Sequence, residues 1–342
     1  MFAPARLLIA VDFSRPSAAA LRAGLDLAAR CGAQPHILHV VSRLAALPPE
    51  VESLYSERER AERRRLLRNA EADLRDFMDA EHARGEGHVA AVASGHPATA
   101  ALDYAAEHDV GLVVVGTHGR RGVRRWLLGS VASEVLHHAE APVLVVPEPT
   151  ATPGRSGSGD DAAPSFAPGL ERSNGLGKRG VLAPTDLSPA SRLALPIASA
   201  LADLYGAPLD LLYALEPVPY LTPTMDLEIV GDLFGELRDR AEGELVRAAT
   251  ALRSPRERAG DLSADGQDGE PATQEASPPS VRVHVESGRA ADVVVSTARE
   301  LGARFIVVAK HGRGPVARLT LGSVTERVCR EAPCPVLVLP SQ

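Results

Sequence analysis

The segment GTHGRRGVRRWLLGS, residues 116–130, has the glycine spacing of a loop that binds a polyphosphate. It follows the apolar run LVVV and precedes a stretch with helical periodicity, so it should connect a strand to a helix. Gly116 and Gly119 let the backbone approach a ligand closely and turn successive N–H groups towards an anion. Gly129 and Ser130 stand where the helix should begin, and the N-terminus of a helix attracts negative charge.

Other interpretations of the same residues remain open. Ser130 could be an ordinary helix N-cap, and Ser323 with Glu326 in SVTE fits a capping box. The glycines could belong to an ordinary turn. Arg120 and its neighbouring arginines could contact phosphate, although arginines in so exposed a loop are mostly solvated. The chain has no G-x-x-x-x-G-K-[ST] motif, and its G-x-G-x-x-G match at 175–180 precedes a strand, on the wrong side for a dinucleotide fingerprint.

The whole pattern occurs twice in the chain. RLLIAVDFSRPSAAAL and RGVLAPTDLSPASRLAL align Asp12 with Asp186 at an offset of 174, and AKHGRGPVARLTLGS repeats the glycine loop at an offset of 193. The second copy therefore holds 19 additional residues, which we place in a stretch rich in Gly, Pro, Ser and acidic residues. We predict a first domain over 1–149, a flexible linker over 150–177, and a second domain over 178–342 with a mobile insertion near 253–280.

Apolar runs of strand length alternate with helical patterns in each copy. Strands apolar on both faces are typical of a parallel sheet that helices cover on both sides. We therefore predict an α/β protein of two Rossmann-like domains, each an open parallel five-stranded sheet with its last strand available for domain pairing. Ligands bind such sheets outside the carboxyl ends of the strands, where the strand order reverses. Asp12 and the glycine loop both leave strands at those ends.

Composition limits the classes of function. The chain has 342 residues, of which 45% are hydrophobic and 24% charged, enough for two ordinary domains. A formal net charge of −7 supplies no domain-wide basic field for nucleic acid. The apolar runs are too short for a membrane span, so we expect a soluble cytoplasmic protein without a membrane or nucleic-acid partner. Its three cysteines, Cys31, Cys329 and Cys334, are interpreted as reduced, mostly packing thiols.

The spacing Gly116, two residues, Gly119, nine residues, Gly129–Ser130 resembles that of the universal stress protein family. The resemblance also includes an early strand ending in V-D-x-S and a final PVLVVP, and it extends over nearly the full length of both copies. It implies a tandem universal stress protein. In ATP-binding members of the family, the aspartate after the first strand and the valine after the second sit at the adenosine.

That resemblance assigns site residues by position. It implies that the adenosine would meet Asp12 and Val40, and that Gly116, Gly119, Gly129, Ser130 and the amide of Val131 would line the ribose and phosphates. An alternative in which Asp12 only holds the first turn stays open. The corresponding residues of the second copy are Asp186, Gly312, Gly322, Ser323 and Val324.

The second copy departs from the family pattern. Ala309 replaces the first glycine, Ala214 stands in place of Val40, and Pro315 removes an N–H from the loop. A methyl group at Ala309 intrudes on whatever approaches that backbone. We expect weaker or absent nucleotide binding there, unless Lys310 compensates with its charge.

The expected function is that of an ATP-binding, nucleotide-dependent regulator of the stress response, with or without Mg²⁺, whose better site is in the first copy. No catalytic or metal-ligating set is assigned; a nucleotide-independent scaffold or protective protein and a slow ATPase are the alternatives. Because family members commonly dimerise through their last strands, we expect Val143–Val146 to pair with Val336–Leu339 inside one chain as a pseudo-dimer. A homodimer and a regulatory protein partner remain open.

Overall fold

The computed structural model describes most of both copies. The described residues are 3–42, 44, 55–81, 83, 87–117, 128–148, 179–216, 227–252, 280–312 and 321–340, with only the backbone described over 227–233. The predicted linker, the predicted insertion through residue 279, Pro315, Gly119 and Arg120 lie outside them. The described residues belong to two compact units, one within Ala3–Asn174 plus Cys329–Pro340 and the other within Gly175–Val328.

The first unit alternates strands and helices as the sequence predicts. Its strands are β1 (Arg6–Val11), β2 (Gln34–Val41), β3 (Val89–Ser94), β4 (Leu112–Gly116) and β5 (Val143–Val146). Its helices are α1 (Arg15–Cys31), α2 (Glu57–Ala80), α3 (Pro97–Glu107) and α4 (Ser130–His138). The strands run parallel in the order β3-β2-β1-β4-β5, which confirms the predicted fold.

The second unit repeats this arrangement. It contains β6 (Val181–Pro184), β7 (Leu209–Leu215), β8 (Val281–Ser287) and β9 (Phe305–Ala309). The helices of the second copy are α5 (Pro189–Tyr205), α6 (Leu227–Leu252), α7 (Ala290–Glu300) and α8 (Ser323–Glu331). The strands are parallel in the order β9-β6-β7-β8, equivalent to β4-β1-β2-β3 of the first unit.

The last strand of the chain joins the first unit. β10 (Val336–Leu339) pairs antiparallel with β5, with Leu337 opposite Leu144. The predicted pairing of the two terminal strands is therefore present in the structure. It makes the sheet of the first unit mixed, because five parallel strands are followed by one antiparallel strand.

Local signals in the sequence explain where the elements begin and end. Ser14 caps the N-terminus of α1 by accepting a hydrogen bond from the Ser17 amide, and Gly32 ends the helix at φ 69°. Ser56 and Glu59 form a capping box at the start of α2. All four residues of β5 are buried, as expected for a strand covered on both faces. None of the described helices is both long and apolar enough to cross a membrane.

The strand order fixes where a ligand can approach the first unit. From β1 the chain passes to β2 and β3 on one side, then returns to β4 and β5 on the other. The order therefore reverses between β1 and β4, whose last residues are Val11 and Gly116. Crevices at such a reversal are the usual binding sites of open α/β sheets.

Candidate functional site

Asp12 lies in a fixed turn immediately after β1. Its Oδ1 accepts two hydrogen bonds from Ser14, one from the backbone N–H at 3.1 Å and one from the hydroxyl at 2.5 Å. Ser14 is also the N-cap of α1, so the carboxylate is held against the start of that helix. The side chain of Asp12 is half-buried. This geometry suits a hydrogen-bond acceptor for a ligand and also suits the alternative in which Asp12 holds the turn.

Gly116 ends β4 against the first turn of α1. A Cβ atom at this position would lie 2.8 Å from the backbone carbonyl carbon of Pro16 and 2.9 Å from its oxygen. Because those are backbone atoms, the clash could not be relieved by a side-chain rotation. The packing of α1 on β4 is therefore sufficient to require glycine here, and contact between Gly116 and a ligand stays a prediction.

The start of α4 is tied to the end of β4. Gly129 is the N-cap residue, makes no side-chain capping bond, and donates its N–H to the Thr117 carbonyl at 2.7 Å. The Gly129 carbonyl accepts the first helical bond, from Ser133, at 2.9 Å. Ser130 is thus the first residue of the helix, so the alternative in which it serves as N-cap is wrong.

The first turn of α4 carries the amides that the sequence assigned to phosphate. Ser130 is exposed and Val131 is half-buried. Amides in the first turn of a helix have no acceptor within the helix itself. Because Gly129 brings no capping side chain, these N–H groups can serve an anion at the carboxyl end of β4.

The second copy starts its last helix in the same way. Gly322 donates its N–H to the Lys310 carbonyl at 3.0 Å, and the Gly322 carbonyl accepts a bond from the Glu326 N–H at 2.9 Å. Gly322 is therefore the N-cap of α8, and the alternative in which Ser323 caps the helix is wrong. Ser323 and Val324 are exposed in the first turn.

Asp186 and Gly312 are in direct proximity in the second copy. A Cβ atom at Gly312 would lie 2.6 Å from Asp186 Oδ2, while Asp186 Oδ1 accepts the Ser188 N–H at 3.0 Å. The loops after β6 and β9 therefore meet at the carboxyl ends of these strands. Lys310 is half-buried beside them, and burial lowers the pKa of its ammonium group.

In each copy the predicted site residues lie at the carboxyl ends of neighbouring strands. In the first, Gly129 contacts Thr117, and Asp12 follows the neighbouring strand β1. Val40 is half-buried near the end of β2, opposite Ala93. Ala214 occupies the equivalent place in β7.

Phe13 and His39 are residues beside the site that sequence reasoning missed. Phe13 has a φ of 65°, and its ring stacks on that of His39 with centroids 4.2 Å apart. His39 Nδ1 donates to the Val11 carbonyl at 2.9 Å. One signal was available in the sequence, because a polar histidine near the carboxyl end of a buried strand needs a hydrogen-bond partner.

Two buried polar clusters lie near the amino ends of the strands, away from the candidate site. His36 Nδ1 is 2.9 Å from the Tyr104 hydroxyl, and burial, followed by the charges of His108 and Arg6, lowers the pKa of His36. At the equivalent position of the second copy stands Asp210, bonded to Arg282 and His284. Within the described residues, no three His, Cys, Asp or Glu side chains are grouped so as to hold a metal ion.

Both copies match one known protein family. The model of the universal stress protein family matches residues 5–147 and 178–340. A universal stress protein of Mycolicibacterium smegmatis is 27% identical over 339 residues, covering 97% of this chain and 96% of that protein. One from Mycobacterium tuberculosis is 28% identical over 340 residues, with the same coverage of 97% and 96%.

Solved structures show the same fold. A universal stress protein of Archaeoglobus fulgidus superposes with a TM-score of 0.53 at 21% identity, covering 98% of this chain and 96% of the other. A functionally unknown protein of Pseudomonas aeruginosa gives a TM-score of 0.57 at 16% identity, covering 99% and 93%. With two matches that together span both copies, the chain belongs to the universal stress protein family and carries two of its domains in tandem.

Proposed function

We propose that the protein binds ATP in its first domain and acts as a nucleotide-dependent regulator of the stress response. The observation that carries this proposal is the bond from the Gly129 N–H to the Thr117 carbonyl. It holds the N-terminus of α4, without a capping side chain, at the carboxyl end of β4. That end lies at the reversal of strand order, beside the strand that Asp12 follows.

The residues at this crevice fit the parts of ATP. The amides of Ser130 and Val131 lie in the first turn of α4, where the helix dipole favours phosphate. Asp12 offers a carboxylate to ribose hydroxyls or to the adenine amino group, and Val40 offers apolar contact to the base. Mg²⁺ would enter with the phosphates, which supply its oxygen ligands. Gly119 and Arg120 remain predicted members of the loop.

A nucleotide-independent scaffold is the second candidate function. The packing of Gly116 against Pro16, and of Gly312 against Asp186, favours this scaffold function, because packing alone then accounts for both glycines without a ligand. The two candidates differ in one measurable property, the affinity for ATP. A cytoplasmic location, a homodimer and a regulatory protein partner stay expectations in either case.

The test compares equivalent changes in the two domains. Gly129→Val should weaken ATP binding by about tenfold or more, which corresponds to ~1.4 kcal/mol, since a branched side chain would stand where phosphate approaches. Gly129 has φ −59° and ψ 148°, which valine adopts readily, so the fold should tolerate the change. Gly322→Val is the matched change in the second domain and should leave the first site intact.

Calorimetric titration of nucleotide-free protein, with and without Mg²⁺, measures affinity and stoichiometry. We expect about one ATP per chain, and thermal melting checks that each variant is folded. Parent protein that binds no ATP below millimolar concentration would favour the scaffold. Equal binding by parent and Gly129→Val would show that the phosphates lie elsewhere.

A parallel measurement of phosphate release in a single turnover tests the slow ATPase alternative. That alternative fails if the rate of release equals the rate in buffer without protein.

A further inference from the structure

The turn between Asp12 and Ser14 contains a bulky residue in the left-handed region. Phe13 has a φ of 65°, a conformation that is unfavourable for a residue with a bulky side chain. Such a residue persists where the surrounding contacts hold it in place. Its neighbour Asp12 is the carboxylate that the proposed site presents to adenosine.

His39 contacts this turn on both sides of Asp12. Before Asp12, the Val11 carbonyl accepts a hydrogen bond from His39 Nδ1 at 2.9 Å. After Asp12, the Phe13 ring stacks on the imidazole at 4.2 Å with 24° between the planes. The sheet builds this arrangement, because Val11 in β1 is the register partner of His39 in β2. Since a carbonyl only accepts, the imidazole proton must be on Nδ1.

The second domain has the same turn, and Asp186 Oδ1 accepts the Ser188 N–H as Asp12 Oδ1 accepts the Ser14 N–H, but the serine hydroxyls have different partners. Leu187 has a φ of 63°, so the backbone reaches this conformation without an aromatic ring. Ser188 donates its hydroxyl to Ser191 Oγ at 3.2 Å, whereas Ser14 donates its hydroxyl to Asp12 Oδ1. The residue equivalent to His39 is Tyr213. The stack is therefore not needed to form the turn.

We infer that His39 is a positioning residue, which sets the direction of the Asp12 carboxylate by fixing the backbone on both sides of it. The inference rests on the proposed ATP site and deepens it. His39 acts through Asp12 on the adenosine half of the ligand and leaves the phosphate half, at the N-terminus of α4, unaffected. If His39 had a merely structural role, its substitution would instead lower the affinity of the site for all of its ligands together.

Two substitutions separate the two contacts of His39. His39→Asn keeps an N–H near the place of Nδ1 and loses the ring, while His39→Phe keeps a ring and loses the donor. Each should weaken ATP binding by about five- to tenfold, the equivalent of one hydrogen bond or aromatic contact. Binding of inorganic tripolyphosphate, which carries no adenosine, should change by less than about twofold. Tyr213→Phe in the second domain is the matched control and should change neither the affinity for ATP nor the affinity for tripolyphosphate.

A double-mutant cycle with Asp12→Asn tests whether His39 acts through Asp12. In the Asp12→Asn background, His39→Phe should have almost no further effect on the affinity for ATP. Nitrogen chemical shifts should show the Nδ1–H tautomer of His39 in the full chain. Additive effects in the cycle, equal losses for both ligands, or an Nε2–H tautomer would each overturn the inference. Parent protein that binds no ATP would instead refute the proposed function, so the two failures are distinguishable.

Discussion

At the scale of single residues, a packing contact accounts for the presence of a glycine in each candidate site. Gly116 packs against Pro16, and Gly312 packs against Asp186. By the offsets between the copies, Gly116 corresponds to Ala309 and Pro16 to Ala190. Because backbone atoms of Pro16 crowd Gly116, the methyl group of Ala309 fits only where α5 lies farther from β9 than α1 lies from β4. The loss of glycine at Ala309 is then a weaker reason to expect poor binding in the second domain than the sequence suggested. Within the described residues, Ala214 in place of Val40 is the other departure from the family pattern.

Asp210 is the most buried acidic residue whose partners the structure defines. Its side chain is 1% exposed, and its carboxylate accepts bonds from Arg282 at 2.7 Å and from His284 at 2.8 Å. Burial alone raises the pKa of Asp210, but the bonds from His284 and Arg282 outweigh burial and hold the pKa below its ordinary value. Removing the charge would leave the Arg282 guanidinium without its anion and would disturb the hydrogen bond to His284.

Asp210→Asn should therefore lower the free energy of unfolding of the second unit by about 2–4 kcal/mol at pH 7. A carboxylate with a depressed folded pKa stabilises the fold above its unfolded pKa of about 4 and loses that contribution as the pH falls through the folded value. The difference between parent and variant should shrink on acidification. Urea unfolding at pH 7 and at pH 3, monitored through the hydrogen exchange of the β7 amides, measures this difference in stability.

Asp26→Asn provides the control for this change. Asp26 pairs with Arg30 on the surface of α1 at 3.1 Å, and such exposed pairs contribute about 0.5 kcal/mol or less. A large loss in this control, or a gap between Asp210→Asn and parent that does not change with pH, would contradict the buried ion cluster as the cause.

At the scale of elements, hydrophobic periodicity predicted the order of strands and helices in the first unit. The apolar runs LLIAV, residues 7–11, and HILHVV, residues 36–41, lie in β1 and β2, and Gly32 ends the helix between them. Periodicity is a local property, so it can be read along the chain. The N-caps of α4 and α8 were less accessible, because Gly129 and Gly322 are fixed by bonds to strand ends that are distant in sequence.

The second copy carries a helix breaker inside an element. Pro196 is exposed within α5, where it supplies no N–H for the carbonyl of Arg192, four residues earlier. Pro196→Ala should restore that bond without removing buried surface. We expect a gain of about 1–2 kcal/mol, part of the ~3 kcal/mol that an interior proline costs. The measurement is the midpoint of thermal unfolding, which should rise by about 2–4 °C per kcal/mol.

Pro189→Ala in the same helix is the matched control. Pro189 is at the start of α5, where a missing N–H has no intrahelical acceptor to lose. Its replacement should bring no gain in stability. Equal stabilisation of both alanine variants would contradict the restored helix bond as the cause, because the loss of a proline by itself gives the unfolded chain more freedom and lowers stability.

At the scale of the whole molecule, the repeat in the sequence predicted two domains of one topology, and the strand orders of the two units agree with it. The pairing of β5 with β10 was also predicted, from the resemblance to a family whose members commonly dimerise through their last strands. The contact of Gly116 with Pro16 and the stack of Phe13 on His39 were not. They depend on distances between segments far apart in the chain, which no local pattern encodes.

The pairing of β5 with β10 predicts how a full chain closes its own sheet edge. Leu144 and Leu337 stand directly opposite one another, where Cβ atoms of paired strands are about 5 Å apart. Leu144 and Leu337 are both buried, so the test uses a direct bond between them and no bulky reagent. With the three native cysteines replaced by alanine, the Leu144→Cys, Leu337→Cys chain should form a disulfide under mild oxidation and keep the mass of a single chain. An open edge would invite pairing with another copy instead, as in a homodimer. Denaturing mass measurement over a range of protein concentrations separates the two, with each single-cysteine chain as control. A cross-linked product of twice the chain mass would show that the two strands pair between molecules.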